Sequence, residues 1–306
     1  MTSGESEALT GPRPDRGDWI RVGILAVVFV VMFLPALRRM LYVFVNDDNY
    51  SYGFFIPVVS AFYVYMNWPA LSKVRTNPSW LGAPALVLSA LGYLAFASLN
   101  PPQHYLMQVF MLGTILSLTV LLFGWSTLRA YAFPLLYLLL MFPLPKAFEE
   151  QYITLPLQRY AAATGASVID ACGIPVVRDG NVIRVPAMDL LVEEACSGIR
   201  SLFSLTALSV AMVWLFEKRW WEKILLIALT PAIAVLANVI RVSSTGMLAT
   251  WVSPDFASGF LHYFQGLAIF ALGMTLLLTA AWIVKVLIPP PESAPEAPAE
   301  ESATDE

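Results

Sequence analysis

Lys223-Ile224-Leu225-Leu226-Ile227-Ala228-Leu229-Thr230-Pro231-Ala232-Ile233-Ala234-Val235-Leu236-Ala237-Asn238-Val239-Ile240-Arg241 runs from one cation to another with no charge between them. Extended to residue 245, it is long enough to cross a bilayer core, which takes about 20 apolar residues. On its near side stands Glu217-Lys218-Arg219-Trp220-Trp221-Glu222, basic and aromatic, the composition of a cytoplasmic turn anchored at the interface. On its far side Arg241 closes the run, with Asn238 one turn earlier on the same face. Over the rest of the chain the same reading gives spans at 20–37, 52–68, 80–98, 105–123, 128–144, 199–216, 223–245 and 264–287. The fold expected is an all-α polytopic membrane protein of about eight transmembrane helices. Composition agrees: of 306 residues, 58% are hydrophobic and 13% charged, against about 25% charged for a soluble domain.

The ends differ from this middle. Residues 1–18 read as a disordered cytoplasmic N-terminus. The tail 289–306 is rich in Pro and Glu and reads as disordered and acidic. Residues 19–288 form the membrane-embedded domain. The first apolar stretch lacks a small-residue cleavage site and is read as a retained anchor. No basic patch with interleaved aromatics points to nucleic acid. The partner expected of the body is the lipid bilayer. With the N-terminus inside, ten Lys and Arg fall in the cytoplasm and eight outside, and the outer loops 99–104 and 246–263 hold none. Both termini are then cytoplasmic.

This topology was set by charge, yet it sends three unusual polar residues to one side. Cys196 starts an inward-running helix, Arg241 ends an outward-running one, and His262 precedes the next inward helix. The longest outer segment, 145–198, leads to Cys196. Residues 147–164 are amphipathic and suited to the membrane surface. In Val176-Val177-Arg178-Asp179-Gly180-Asn181-Val182-Ile183-Arg184-Val185, Asp179-Gly180 between β-branched runs signals a hairpin. Leu190-Leu191-Val192 offers a third strand. A small extracytoplasmic sheet would then precede the cysteine helix.

Each site residue carries a functional reading and a plainer one. In Glu193-Glu194-Ala195-Cys196-Ser197-Gly198-Ile199-Arg200, a helix start and nearby cations favour the thiolate of Cys196, the nucleophilic form. The alternatives are a disulfide with Cys172, the other cysteine, or inert packing. Ser197 and Gly198 fit a helix start, and free backbone N–H groups there could hold an oxyanion. Arg241 is either a clamp for negative charge or an interfacial arginine that snorkels. His262 is either a base for the thiol or a structural imidazole. Glu193 and Glu194 either orient a partner or are solvated loop acids. Asp47-Asp48-Asn49-Tyr50-Ser51-Tyr52-Gly53 either helps bind substrate or is a polar loop with interfacial tyrosines. His104 has less support as a site residue. No Cys/His spacing implies a metal, and no cofactor is expected.

Glu194-Ala195-Cys196-Ser197-Gly198-Ile199-Arg200-Ser201 resembles the signature of the exosortase/archaeosortase family. Asn238-Val239-Ile240-Arg241-Val242 and Phe260-Leu261-His262 with Gly266 look like its second and third blocks. The resemblance covers about residues 45–285. It implies a membrane-embedded cysteine protease and transpeptidase at the outer face of a prokaryotic cytoplasmic (inner) membrane. Its partners would be exported proteins with a PEP-CTERM-like C-terminal sorting signal: a short motif, a transmembrane helix and a basic end. By carry-over Cys196, Arg241 and His262 are catalytic, and Glu194, Ser197, Gly198, Arg200 and Asn238 contact substrate. Where the family often has Ser-His-Gly, this chain has Ser51-Tyr52-Gly53.

Two other classes remain against this expectation. A transporter or channel would place Arg241 and His262 along a solute path. It calls for charges at the midplane and for repeat symmetry, neither of which is visible. A thiol redox protein would use Cys172 with Cys196.

Overall fold

The computed structural model describes residues 16–192, 198–216, 219–254 and 259–288, with the backbone alone at 16–22 and 259–265. The tail 289–306 and most of the N-terminal segment expected to be disordered lie outside the described residues. The chain opens with α1 (Arg16–Asn46), a 3-10 turn (Asp48–Phe54), α2 (Phe55–Met66) and α3 (Trp68–Leu71). Next come α4 (Gly82–Ala97), α5 (His104–Phe123), α6 (Trp125–Ala130) and α7 (Ala132–Tyr137). A second 3-10 turn (Leu138–Met141), α8 (Lys146–Glu149) and a π turn (Glu150–Thr154) lead into α9 (Leu155–Ala171). Strands β1 (Val177–Asp179), β2 (Val182–Val185) and β3 (Met188–Leu191) come next. Helices α10 (Ile199–Phe216), α11 (Trp220–Trp251) and α12 (Gly259–Leu287) finish the described chain.

The protein is a multi-pass membrane protein. Among the described residues, five helices are long and apolar enough to cross a bilayer: the Gly23–Asn46 part of α1, α5, α10, α11 and the Gly266–Leu287 part of α12. A sixth is reached if Ala132–Met141 and Lys146–Ala171, bent by 84°, form one broken span. Three of the eight expected spans are shorter or broken. The segment 52–68 begins as the 3-10 turn and leaves α2 with 12 residues, and Pro69 starts a separate turn. Segment 80–98 is a 16-residue helix. Segment 128–144 breaks at Tyr131 and again at Tyr137. Hydropathy registers all three because it sees composition and not where a helix stops.

The chain falls into two compact units, one built from residues up to Tyr160 with the start of α10 to Ala207, the other from the remainder. In the first, Phe33 of α1 is fully buried and meets Tyr93 of α4 edge-on at 4.7 Å. Tyr63 of α2 meets Phe133 of α7 at 4.6 Å, and the Ser60 hydroxyl donates to the Pro134 carbonyl at 2.7 Å. Helices α4 and α5 approach closely because Gly82 and Gly113 present no Cβ; one at Gly82 would fall 2.5 Å from the Leu121 nitrogen. Tyr137 of α7 donates to the Ala207 carbonyl at 3.0 Å, holding the start of α10.

In the second unit Val213, Leu226 and Ala281 bring α10, α11 and α12 into one apolar core. Ser209 and Thr230, both essentially inaccessible, join α10 to α11 through hydroxyls 2.8 Å apart. Such a pair satisfies polar groups that lipid cannot. The Arg219 guanidinium donates to the Ile288 carbonyl at 3.0 Å and levels the α11 start with the α12 end.

The sheet is antiparallel in the order β1-β2-β3. Asp179 pairs with Val182, so the two-residue loop is Gly180-Asn181, one position beyond the expected Asp179-Gly180. Gly180 takes φ +61°, which glycine adopts without cost. The third strand is Met188–Leu191, and the Val192 N–H then donates to the Asn181 carbonyl at 3.0 Å. Ile183 and Val185 of β2 are buried, while Arg184 points out between Asp179 and Asp189.

Candidate active site

Arg241 does not end its helix. Helix α11 continues to Trp251 and, at 1.5 Å per residue, is about 48 Å long against a bilayer core of about 30 Å. The polar run Ser243-Ser244-Thr245 follows Arg241 directly. It stays helical because its hydroxyls are absorbed by the helix itself: Ser243 donates to the Val239 carbonyl and Thr245 to the Arg241 carbonyl, both at 2.8 Å. The extension is also a docking post. A Cβ on Gly246 would meet Ile169 of α9 at 2.6 Å and Leu190 of β3 at 3.1 Å. One turn earlier, Val242 and Ile183 both press against Gly165 of α9. The sheet and α9 are therefore seated on α11 in the turns just after Arg241.

Arg241 is 8% exposed and Asn238 4%. An arginine snorkelling toward lipid headgroups would be accessible at the protein surface, so Arg241 faces protein. The Asn238 Oδ1 is buried without a hydrogen-bond partner among the described residues. A buried amide oxygen in that state costs free energy unless something donates to it.

His262 lies inside the first turn of α12, which begins at Gly259 and not after the histidine. Only its backbone is described. Counted from the Arg219–Ile288 tie, Arg241 stands about 33 Å up α11 and His262 about 39 Å up α12. The two residues are thus level to about one helical turn, on adjacent antiparallel helices of one unit.

Cys196, Glu194 and Ser197 lie outside the described residues. The first described residues after them, from Gly198 to Ala207, belong to the first unit. Gly198 takes φ +80°, and its carbonyl accepts the Leu202 N–H at 2.8 Å, so it caps α10. A left-handed φ there explains a glycine two residues after the cysteine. Arg200, in the first turn of α10, pairs with Asp48 at 2.6 Å. One turn on, the Phe203 ring meets Tyr50 at 5.5 Å and Tyr52 at 6.4 Å. The 3-10 turn thus grips the start of the cysteine helix.

Its tyrosines are not interfacial. Tyr50 is 2% exposed; its hydroxyl donates to Glu149 at 2.8 Å and accepts the Leu144 N–H at 3.0 Å. Tyr52 donates to the Leu140 carbonyl at 2.9 Å. Burial, and then the neighbouring Glu149 carboxylate, push the Tyr50 phenol well above its usual range. It remains a neutral donor. Sequence reasoning missed Glu149, since its partner lies 99 residues away and nothing local marks it.

Cys172 is an exposed free thiol at the end of α9. Among the described residues no three acidic, His or Cys side chains gather as a metal site.

A family model described as transmembrane exosortase matches residues 44–279. No curated protein and no solved structure matches this chain.

Proposed function

The chain belongs to the transmembrane exosortase family, and from that premise we propose that it is a membrane-embedded cysteine protease and transpeptidase. Its substrates are exported proteins carrying a C-terminal sorting signal. The Cys196 thiol loses its proton to His262, and the thiolate attacks the scissile carbonyl. Arg241 and backbone N–H groups at the start of α10 stabilise the oxyanion. The tetrahedral intermediate collapses to a thioester between the exported polypeptide and Sγ, and His262 returns its proton to the departing amine. An acceptor amine or water then attacks the thioester and restores the thiol.

A guanidinium scarcely gives up its proton near neutral pH. Proton transfer is therefore assigned to His262 and charge stabilisation to Arg241. Asn238, one turn below Arg241, donates to or accepts from substrate. Glu194, Ser197, Gly198 and Arg200 line the approach to the thiol. The site faces the extracytoplasmic side of a prokaryotic cytoplasmic membrane, with both termini inside. A site at that depth admits an apolar helix laterally and a polar acceptor from water.

The observation that carries this reading is that Arg241 and His262 stand level to about one helical turn, counted along α11 and α12 from the Arg219–Ile288 tie, with Arg241 buried in protein. A solute path across the bilayer would instead call for charge near the midplane. The test is co-expression with substrates bearing a motif, a transmembrane helix and a basic end. Cleavage by wild type and none by Cys196→Ala is expected. Normal processing by Cys196→Ala overturns the proposal.

A further inference from the structure

In the first unit two elements stop short beside α5. Helix α2 ends at Met66, and the α6–α7 pair breaks at Tyr131, while α5 runs on to Phe123. The space they leave is an open cavity of about 340 Å³ whose apolar lining includes Leu71, Val74, Phe123 and Leu135. Thr119 and Thr127 also line it, but their hydroxyls donate to the Ile115 and Phe123 carbonyls four residues back. The wall after α3 is fixed to α5: the Asn77 N–H donates to the Phe123 carbonyl at 3.0 Å and the Ser79 N–H to the Val120 carbonyl at 3.2 Å. The lining hydroxyls of Ser72, Thr76 and Tyr131 make no hydrogen bond to the described residues.

Lys73 and Arg75 alternate with the lining residues Ser72, Val74 and Thr76, and Arg129 stands between Thr127 and Tyr131. All three cations are exposed, and none has an ion pair among the described residues. Between Asp48 and Glu149 the chain has no acidic residue, so neither this loop nor α6 carries its own counter-charge. The cavity thus joins a cationic rim to an apolar interior, at the end of α2 away from the 3-10 turn. The charge distribution assigns that end to the cytoplasmic side. We propose that the cavity seats one anionic phospholipid of that leaflet. Lys73, Arg75 and Arg129 hold the phosphate, with the three hydroxyls as further donors. An acyl chain fills the gap beside α5, where a void would forfeit dispersion contacts. Basic pockets between membrane helices bind such headgroups, each cation near an anionic surface being worth roughly five-fold in affinity. A zwitterionic lipid brings the same chain and phosphate, but also a cation that the rim repels. A soluble anion gains nothing from the apolar interior. The inference needs the chain to be a membrane protein and draws on no step of the proposed reaction.

The full chain is released into native mass spectrometry from nanodiscs of phosphatidylglycerol and phosphatidylcholine in equal parts, and the retained lipids are identified. Wild type is expected to retain phosphatidylglycerol over phosphatidylcholine by at least about ten-fold. Lys73→Gln, Arg75→Gln and Arg129→Gln combined should return that ratio to the ratio in the disc. Val74→Trp, which fills the cavity and keeps the cations, should lower the amount of phosphatidylglycerol retained. Arg38→Gln with Arg39→Gln, at the other end of the unit, should retain it as wild type does. A wild-type ratio equal to that of the disc, or a preference that survives the triple variant, overturns the site. Displacement of the retained lipid by glycerol 3-phosphate alone overturns the lipid in favour of a soluble anion. Should a variant fail to fold, judged by thermal unfolding, wild type labelled with a phosphatidylglycerol carrying a diazirine in its acyl chain decides. Adducts within 71–76 or 119–135 support the site, and adducts only elsewhere overturn it.

Discussion

The Tyr50 hydroxyl donates to Glu149 and at the same time accepts from the backbone of Leu144, with both side chains buried. One phenol therefore ties the turn after α1 to the connection before α9, while its ring rests on Phe203 at the start of the cysteine helix.

Replacing Tyr50 by Phe removes one donor from the Glu149 carboxylate and the acceptor of the Leu144 N–H. The expected loss is about 1–3 kcal/mol of apparent stability, measured by unfolding in detergent. Tyr50→Phe at wild-type stability would show that the network is not strained by losing its centre.

The same residue sets a pH dependence. Its folded-state pKa is raised, so its contribution is fully present below the unfolded value near 10. Above that pH the unfolded chain releases the proton first, and the contribution falls with rising pH. The stability difference between wild type and Tyr50→Phe should shrink between about pH 10 and 11.5, by up to about 1.4 kcal/mol per unit. A difference that holds or grows over that window contradicts the buried, neutral phenol.

Arg200 and Asp48 are close, yet their side chains are 48% and 79% exposed. A pair so open to solvent is worth about 0–1 kcal/mol. Arg200→Ala should therefore shift stability by no more than this. If processing falls ten-fold or more in that variant, Arg200 acts on substrate and not on the fold.

Gly198 sits at φ +80°, where a Cβ costs roughly 1–2 kcal/mol. Gly198→Ala should lower stability by about that amount and processing by more, because the start of α10 is displaced beside Cys196. Equal, small losses in both would make Gly198 a structural cap alone.

On α11, Gly246→Ala meets only the flexible tips of Ile169 and Leu190 and gains helix propensity, so its net effect should be near zero. Gly246→Val should cost about 1–3 kcal/mol and loosen the sheet, seen as faster tryptic cutting after Arg178 and Arg184.

The long spans were legible because unbroken apolar runs tolerate few other folds, and the hairpin because Gly180 follows Asp179 between β-branched residues. The breaks at Asn67-Trp68-Pro69 and Tyr131 were not, since a stop inside an apolar run leaves mean hydropathy unchanged. The continuation of α11 past Arg241 was hidden because Ser243 and Thr245 return their hydroxyls to their own helix, which a polar run does not announce. The Tyr50–Glu149 pair was hidden because its members stand 99 positions apart and nothing local marks either. Cys196, Arg241 and His262 could be picked out because polar side chains are costly at the ends of apolar helices.

The most direct measurement is the intact mass of the full chain trapped with a substrate bearing a C-terminal motif, transmembrane helix and basic end. Wild type should gain the mass of the exported polypeptide through a bond that hydroxylamine cleaves, and Cys196→Ala should gain nothing. An adduct that persists in Cys196→Ala, or processing that proceeds at the wild-type rate without the thiol, would contradict cysteine catalysis.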